Sequence, residues 1–231
     1  MALNAKTAAG TPRKRPPLME PGNYPARLVQ VIDLGLQPQR PYQGQEKEPA
    51  REIGLTWEFL DEFMKDDDGE DIPEKPRWLS ENMPLHNIRA EKAKSTLRYK
   101  AVDPLNEADG DWTKLLGRPV MINIVNNPSK KDPSIVYENV GGVSPMRPKD
   151  AAKAPKLVNV PVFFDLDDPD MAVFTSFPQW LQDKIKSNLE FAGSEFSDRL
   201  TETVKDNKPA KAAVNTAQPE EPEDDEDEAP F

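Results

Sequence analysis

The side chains of this chain that could do chemistry are chiefly cations and aromatics, because cysteine and histidine are nearly absent. There is no cysteine and only one histidine, His86. A lone histidine outside a Ser–His or Cys–His arrangement supports no nucleophilic catalysis, and no glycine-rich phosphate-binding motif occurs. What remains are Lys and Arg residues with Tyr and Trp among them. Binding single-stranded nucleic acid needs cations that follow phosphates and aromatics that stack on bases.

The candidate nucleic-acid interface consists of thirteen residues. They are Arg27, Arg40, Tyr42, Lys47, Arg51, Arg77, Trp78, Lys94, Arg98, Tyr99, Lys100, Lys130 and Lys131. We expect Trp78 and Tyr99 to stack on bases. If Leu79 points inward, Trp78 points outward, because successive strand residues alternate faces. Arg77 and Arg98 lie next to the two aromatics in the sequence. Alternatively, Lys94, Arg98 and Lys100, which lie in a predicted helix, form an ordinary solvated surface.

Two acidic stretches could suggest a metal ion. DDDGED, which begins at Asp66, has too few correctly spaced oxygens and no late Glu for a calcium loop. The carboxylates of Asp165, Asp167, Asp168 and Asp170 could bind Mg²⁺ in a nuclease, but closely spaced carboxylates in a proline-containing loop are usually only solvated. We therefore expect no metal, no cofactor and no enzymatic activity.

A long β-hairpin from Arg51 to Leu85 positions several of these candidates. Its first strand places apolar residues at every second position, namely Ile53, Leu55, Trp57 and Phe59. That period predicts a strand with one face in a core. An acidic stretch with Asp68-Gly69 at its centre indicates the turn, and RWLSENMPL resumes as the second strand.

Other elements complete a small β-domain. We expect strands over Gly22–Leu34, Arg118–Val125 and Ile135–Val143, a helix over Asn87–Lys100 and a helical turn over Trp112–Leu116. In the first strand, Tyr24, Ala26, Leu28, Gln30 and Ile32 should share one face. In the helix, Ile88, Ala90, Ala93 and Leu97 should face inward.

The order of these elements is strand, long loop, hairpin, helix, strand, short basic loop, strand, which is the layout of an OB-fold. The expected fold class is mainly β with peripheral helices: a five-stranded OB-fold barrel with a C-terminal helical extension and a disordered tail. In that fold, the loops between strands one and two and between strands four and five frame the ligand. Here both loops carry candidate cations.

The two termini differ in charge. Residues Met1–Pro21 centre on the basic TPRKRPP, whose cations could touch phosphates or merely keep the chain soluble. The net charge is −11, and Glu220–Glu228 holds eight acidic residues and no basic ones, so the rest of the chain carries only −3. The 25 prolines and a mean hydropathy of −0.75 indicate that much of the chain is linker or tail. No apolar run approaches the roughly 20 residues that span a bilayer, so we expect no membrane association.

These patterns divide the chain into four parts. They are a disordered basic arm (1–20), an OB-fold nucleic-acid-binding domain (21–148), an extended arm with an amphipathic helix (149–206) and a disordered acidic tail (207–231). The helix should cover Ser176–Phe191, with a capping box at Ser176 and Gln179. Its apolar stripe of Leu181, Ile185 and Leu189 indicates packing on the domain or self-association, so a homo-oligomer stays open.

The chain resembles the single-stranded DNA-binding proteins of tailed bacterial viruses. The resemblance rests on GNYPARLVQV, on LLGRPVMINI followed by VYENVGGVSP, and on EPEDDEDEAPF at the C-terminus. It implies sequence-independent binding of single-stranded DNA in viral DNA replication and recombination, in the cytoplasm of the infected bacterial host. Lack of cysteine suits that reducing compartment.

The resemblance also implies a role for the acidic tail. Such tails recruit replication enzymes, so DNA polymerase and helicase/primase are expected partners, and RNA polymerase is a further one for some proteins of this kind. The expected partner-binding residues are Asp224, Asp225, Glu226, Asp227, Glu228 and Phe231. Like charge should also make the tail compete with DNA. The alternative function is an acidic-tailed transcription cofactor or replication adaptor that acts mainly through protein contacts.

Overall fold

The chain folds mainly as β-structure with a few short helices. The computed structural model describes residues 16–206, with side chains through residue 201. The strands are β1 (Gly22–Gln37), β2 (Ala50–Lys65), β3 (Asp71–Pro84), β4 (Pro119–Pro128), β5 (Val136–Pro145) and β6 (Val162–Phe164). The helices are α1 (Lys94–Val102), α2 (Pro148–Ala151), α3 (Met171–Ser176), α4 (Gln179–Lys186) and α5 (Glu195–Asp206), with a 3₁₀ turn at Trp112–Leu115.

All six strands belong to one open sheet. Five of them follow the order β3-β2-β1-β4-β5 with antiparallel neighbours, and β6 pairs in parallel with β1. The expected strands and their hairpin are therefore present, and the mainly β class is confirmed. β6 had no counterpart in the expected fold.

The first apolar core lies on one face of this sheet. The alternating residues of β2, namely Ile53, Leu55, Trp57 and Phe59, are 0–4% exposed, as their spacing predicted. Val120, Ile122 and Ile124 of β4 are fully buried in the same cluster. Burying such side chains contributes roughly 1.5–3 kcal/mol each, so this core stabilises the sheet.

A register shift in β1 divides that strand between two cores. The pairing with β2 skips a residue between Leu28 and Gln30. Ala26, Leu28 and Val31 face the first core, whereas Ile32 lies in the second. The expectation that Ile32 shares a face with Ala26 and Leu28 is wrong, because a bulge of one residue reverses the faces beyond it.

The second core joins the outer side of β1 to the C-terminal part of the chain. Phe164 of β6 and Phe174 of α3 are each 1% exposed, and their ring centroids lie 5.9 Å apart. Phe196 packs edge-on against Phe174, with centroids 4.9 Å apart. Ile32 and Leu34 of β1 complete the cluster. The segment expected to be an extended arm thus forms an apolar layer of its own on the sheet.

Side chains bridge the gap between β3 and β5, the two ends of the strand order. Within the described residues no backbone ladder joins these strands. Arg77 of β3 binds Glu138 of β5 at 2.8 and 3.0 Å and also donates to the carbonyl of Pro17 at 2.8 Å. Met19, 4% exposed, packs into the first core, and its N–H binds the same glutamate. The N-terminal segment therefore closes this side of the sheet.

Helix α1 starts later than expected and is rotated. Residues 87–93 form successive turns instead of an α-helix. The helix buries Arg98 and Tyr99, whereas Leu97 is 49% exposed. The expected inner face is wrong at Leu97, because polar anchors, described below, set the rotation of the helix, whereas Ile88, which precedes the helix, packs against the first core.

The C-terminal amphipathic helix is shorter than expected. Ser176 ends α3, and its hydroxyl donates to the carbonyl of Val173 instead of capping α4. Leu181 and Ile185 are buried in the second core, as the stripe predicted, but Leu189 lies beyond the helix end and is 54% exposed. The stripe is thus used for packing within the chain.

Two sets of expectations lie outside the described residues. They concern the basic residues before Pro16 and the acidic segment with its partner-binding residues, Asp224, Asp225, Glu226, Asp227, Glu228 and Phe231. Between residues 16 and 206, no helix is long and apolar enough to cross a membrane.

Candidate nucleic-acid interface

The loop between β1 and β2 contains a small, ordered turn. The backbones of Tyr42 and Gln45 exchange two hydrogen bonds of 2.9 Å. The residues between them, Gln43 and Gly44, have φ angles of 49° and 79°, which defines a type I′ turn. The ammonium of Lys47 lies 5.1 Å from the centre of the Tyr42 ring, within cation–π range. An aromatic and a cation that were candidates from sequence are therefore brought together.

The other two cations of this loop differ in their surroundings. Arg40 is exposed. Arg51 is 45% exposed but forms an ion pair with Asp33 on β1, and its Nη2 lies 3.9 Å from Asp167. Hydrogen bonding to Asp33 raises the pKa of the Arg51 guanidinium. Arg51 thus reaches the surface with much of its charge already balanced.

The loop between β4 and β5 presents Lys130 and Lys131, both exposed. The hydroxyl of Ser129 accepts a hydrogen bond of 3.2 Å from the N–H of Lys131, which fixes the turn. The two cationic loops lie at opposite ends of β1, since Gly22 pairs with Ile124 near one loop and Gln37 pairs with Ala50 near the other. They therefore do not form one compact cluster.

The outer face of β2 and β3 is partly covered by the chain itself. Trp78 points away from the first core, as the alternation with Leu79 predicted, and it is half-buried. Its indole donates to Glu58 at 3.2 Å. Glu58 is only 1% exposed although it points outward. The N–H groups of Val158 and Asn159 bind its carboxylate at 2.7 and 3.2 Å. Residues 154–160, which we name the crossing segment, thus lie over this face.

Arg27 holds the other part of the crossing segment. Its guanidinium donates to the carbonyls of Pro155 and Ala154 at 2.6 and 3.0 Å and also to that of Gly117. Burial lowers the pKa of this group. The prediction that Arg27 contacts phosphates needs correction, because all three guanidinium nitrogens bind backbone carbonyls.

Arg77 is likewise engaged within the fold. Its side chain is 12% exposed and is paired with Glu138, whose side chain is 14% exposed. A guanidinium held on a carboxylate by two hydrogen bonds is oriented and neutralised. The prediction that Arg77 belongs to the nucleic-acid interface therefore needs correction, since Arg77 faces the gap between β3 and β5.

Tyr99 and Arg98 are buried, contrary to the expected stacking surface. Tyr99 is 2% exposed; its ring packs edge-on against Trp112, and its hydroxyl accepts from the N–H of Gly110 at 2.7 Å. Arg98 binds Glu81 at 2.9 and 3.1 Å and the carbonyl of Val140 at 3.1 Å. Both residues tie α1 to the sheet, so neither is available for a base or a phosphate.

The two lysines of α1 differ in exposure and in their ion-pair partners. The ammonium of Lys94 lies 3.6 Å from Glu81, and its side chain is 22% exposed. Lys100 is exposed, and its ammonium lies 3.3 Å from Glu91, which is also exposed. Surface pairs of the second kind contribute little, so Lys100 keeps most of its ability to meet a phosphate.

The structure also reveals residues that sequence reasoning missed. Glu58, Glu81 and Glu138 decide which of the candidate cations and aromatics are held inside the fold. Glu81 lies between Leu79 and Met83 at an inward position of β3, where a charged residue is unusual, whereas Glu58 occupies an outward position of β2. A buried carboxylate requires a partner, so the inward position of Glu81 is the one signal that could have indicated its pairs.

The described residues contain no cluster of metal ligands, and an open groove lies among them. No group of three or more His, Cys, Asp or Glu in this part of the chain could hold a metal ion. An open groove of about 320 Å³ lies beside the crossing segment, with Pro25, Leu60, Met121 and Met146 on its apolar side. Asp150, Lys153, Ala154 and Pro155 also line the groove.

Comparisons of this chain with protein-family models, with curated proteins and with solved structures gave no significant match.

Proposed function

We propose that this protein is an OB-fold protein that binds single-stranded DNA without sequence preference. The strand order β3-β2-β1-β4-β5, with α1 between β3 and β4, is the order of an OB-fold whose last contact runs between β3 and β5. In this chain the contact is made by side chains: Arg77 of β3 pairs with Glu138 of β5, and Arg98 of α1 links Glu81 of β3 to the carbonyl of Val140 of β5.

One observation carries the DNA-binding proposal: the two loops that frame the ligand in that fold both present exposed cations. Arg40 and Lys47 lie between β1 and β2, and Lys130 and Lys131 between β4 and β5. Tyr42 adds an aromatic ring beside Lys47. These are the groups that bind the backbone and the bases of a single strand. Other candidate cations are held within the fold, so the proposed interface is smaller than the sequence indicated.

The resemblance to viral single-stranded DNA-binding proteins supports the biological setting of the proposal. The protein would coat single strands during viral DNA replication and recombination in the host cytoplasm, without catalysing a reaction. Its acidic segment would recruit DNA polymerase and helicase/primase and would compete with DNA. This part is supported by the charge and composition of the segment and by the resemblance of EPEDDEDEAPF to the tails of such proteins.

Fluorescence anisotropy with a labelled oligothymidine at two salt concentrations tests the proposal. Binding should be measurable at low salt and weaken as salt rises, because cations on the protein release counterions from the strand. A labelled duplex of equal length serves as the comparison and should bind more weakly. If no binding is found at low salt, the proposal is wrong.

A second function is favoured by the coverage of the sheet. The crossing segment occupies the part of the outer face that an OB-fold uses for ligands, and Arg27, Arg77 and Arg98 are all engaged within the fold. These facts favour an adaptor that acts through protein contacts, including a transcription cofactor of RNA polymerase. The adaptor hypothesis predicts that purified RNA polymerase or replication proteins bind the full chain while oligothymidine does not.

A further inference from the structure

The route of the single strand follows from which surfaces remain accessible. Glu58 and Thr56 point to the outer face of β2, yet they are 1% and 3% exposed. Glu58 is a carboxylate, which repels phosphate, and the crossing segment binds to it through two backbone N–H groups. A strand laid across this part of the face would have to break those bonds and approach a negative charge. An aromatic side chain on which a base can stack must therefore lie on another surface.

The turn at Tyr42–Gln45 supplies such an aromatic in a fixed position. Its two reciprocal backbone hydrogen bonds close a ring that sets the direction of the Tyr42 side chain. The amide of Gln43 donates to the Tyr42 hydroxyl at 3.2 Å, and Lys47 lies near the ring. The side chain is thus contacted by Gln43 and Lys47, and Tyr42 is half-buried while residues 43–48 around it are exposed.

We infer that the turn Tyr42–Gln45 is a preformed stacking element, in which Tyr42 stacks on a nucleobase and Lys47 contacts the adjacent phosphate. This inference rests on the proposed function and deepens it, since it assigns base contact to the loop between β1 and β2 and not to Trp78 on the outer face. Two physical effects favour this assignment. A ring ordered before binding loses little conformational entropy when a base stacks on it, and a nearby ammonium adds attraction to phosphate.

The charge of the loop limits what it can do alone. Glu46 and Glu48 lie on either side of Lys47, so residues 38–49 carry no net charge and do not attract DNA from a distance. The turn therefore contributes stacking at close range, and the exposed cations of other loops must supply the long-range attraction. Substitution in the turn should accordingly change affinity but leave the dependence on salt almost unchanged.

The inference is tested by replacing Tyr42 in the full chain and measuring binding of labelled oligothymidine at low salt. Tyr42→Ala should weaken binding at least about fivefold, the lower end of what one stacked base contributes. Tyr42→Phe is the matched control, since it keeps the ring and loses only the hydroxyl, and it should bind within about twofold of the wild type. The slope of log K against log salt should stay the same for both variants.

A second pair of variants tests whether the turn conformation matters. Gly44→Val places a β-branched residue at positive φ, which such residues rarely adopt, although no atom lies within 4 Å of an added Cβ. Gly44→Val should weaken binding of oligothymidine by about the same factor as Tyr42→Ala. Gln43→Asn suits the same turn and loses at most the contact to the Tyr42 hydroxyl, so it should bind within about twofold of the wild type, as Tyr42→Phe does.

The outcomes separate the inference from the proposed function. If the wild type binds oligothymidine and Tyr42→Ala binds equally well, the stacking element is wrong while the function stands. A loss on Trp78→Ala with none on Tyr42→Ala also overturns the inference and returns base contact to the outer face. If the wild type does not bind at all, the proposed function is wrong and the inference with it.

Discussion

Arg27 and Glu58 stand directly opposite each other on β1 and β2, yet each binds the crossing segment. Arg27 donates hydrogen bonds to the carbonyls of residues 154 and 155, and Glu58 accepts hydrogen bonds from the N–H groups of residues 158 and 159. A guanidinium only donates hydrogen bonds and a carboxylate only accepts them. The pair therefore fixes which end of the crossing segment lies over Arg27 and which lies over Glu58. This arrangement fixes which part of the sheet a ligand can reach.

We predict that Glu58→Gln lowers the free energy of unfolding by about 1–3 kcal/mol, the usual cost of unsatisfied buried hydrogen-bonding groups. An amide oxygen can replace only part of the carboxylate, and the new NH₂ group would face the N–H donors of Val158 and Asn159. Urea unfolding measures the change. Glu46→Gln, the same substitution in an exposed loop, should stay within about 0.5 kcal/mol of the wild type. Equal stability of the two variants would contradict the role given to Glu58.

We predict that Arg98→Met is among the most destabilising substitutions in the sheet–helix contact. It leaves Glu81, 5% exposed, without its main counter-charge, and breaking a buried pair costs about 3–5 kcal/mol. Lys94→Met, which removes the longer 3.6 Å contact to the same glutamate, should cost about 1 kcal/mol or less. Urea unfolding of both variants gives the comparison.

The double variant Arg98→Met with Glu81→Leu separates pairing from packing. It removes both charges together, so it should recover much of the stability lost in Arg98→Met. If the double variant is less stable than Arg98→Met alone, Glu81 has a role beyond its ion pair. The hydrogen bond of 3.1 Å from the Trp57 indole to Glu81 would then be the first candidate for that role.

The sequence predicted the faces of β2 and β4 correctly because one period-two pattern decides each of them. It could not predict the bulge after Leu28, since nothing local indicates where a ladder skips a residue. It also placed Arg77 on the surface, because its partner Glu138 is 61 residues away. Charged residues inside a strand pattern mark such pairs, but their partners become visible only when the fold is known. Of the candidate residues, the cations of the two loops are exposed, whereas most of those on strands and on the helix are engaged within the fold.

We predict that Asp103 makes stability fall at acid pH. Burial alone would raise the pKa of this carboxyl, but hydrogen bonds from the N–H groups of Ala108 and Glu107 and the guanidinium of Arg118 lower it below the ordinary 3.8. A lowered pKa in the folded state means stability that is present above pH 3.8 and is lost as the pH falls through the folded value. The melting temperature of Asp103→Asn should therefore depend less on pH in this range. An unchanged pH profile would contradict this contribution.

We predict that reversing the charges of Lys130 and Lys131 weakens DNA binding equally for all sequences. Each lost phosphate contact should flatten the salt slope by about one unit. Lys130→Glu with Lys131→Glu should leave the melting temperature nearly unchanged, since both side chains are exposed. Anisotropy with oligothymidine and with a mixed sequence, each at several salt concentrations, provides the measurement. If the slope of log K against log salt is unchanged, the loop between β4 and β5 does not contact phosphates and is not part of the interface.

The acidic segment should compete with DNA, and deleting residues 218–231 tests this. Eight carboxylates within Glu220–Glu228 would be tethered to a domain with cationic loops, which gives them an effective concentration on the order of millimolar there. Salt screens such contacts. The truncated protein should therefore bind oligothymidine more tightly at low salt, and the difference should shrink at high salt. If the truncated and the full-length protein bind oligothymidine with equal affinity at low salt, the competition hypothesis is wrong.

Phe231 should matter for a different reason than the carboxylates. A bulky apolar side chain next to an acidic run can enter an apolar pocket with a basic rim on a partner protein, whereas DNA competition depends on charge alone. Phe231→Ala should therefore lose binding to DNA polymerase or helicase/primase, measured by surface plasmon resonance, and keep the DNA affinity of the full chain. Replacing Asp224, Asp225, Asp227 and Glu228 with their amides should instead tighten DNA binding at low salt. If Phe231→Ala tightens DNA binding as strongly as those amide substitutions, the side chain acts on the protein's own DNA site and the division of roles is wrong.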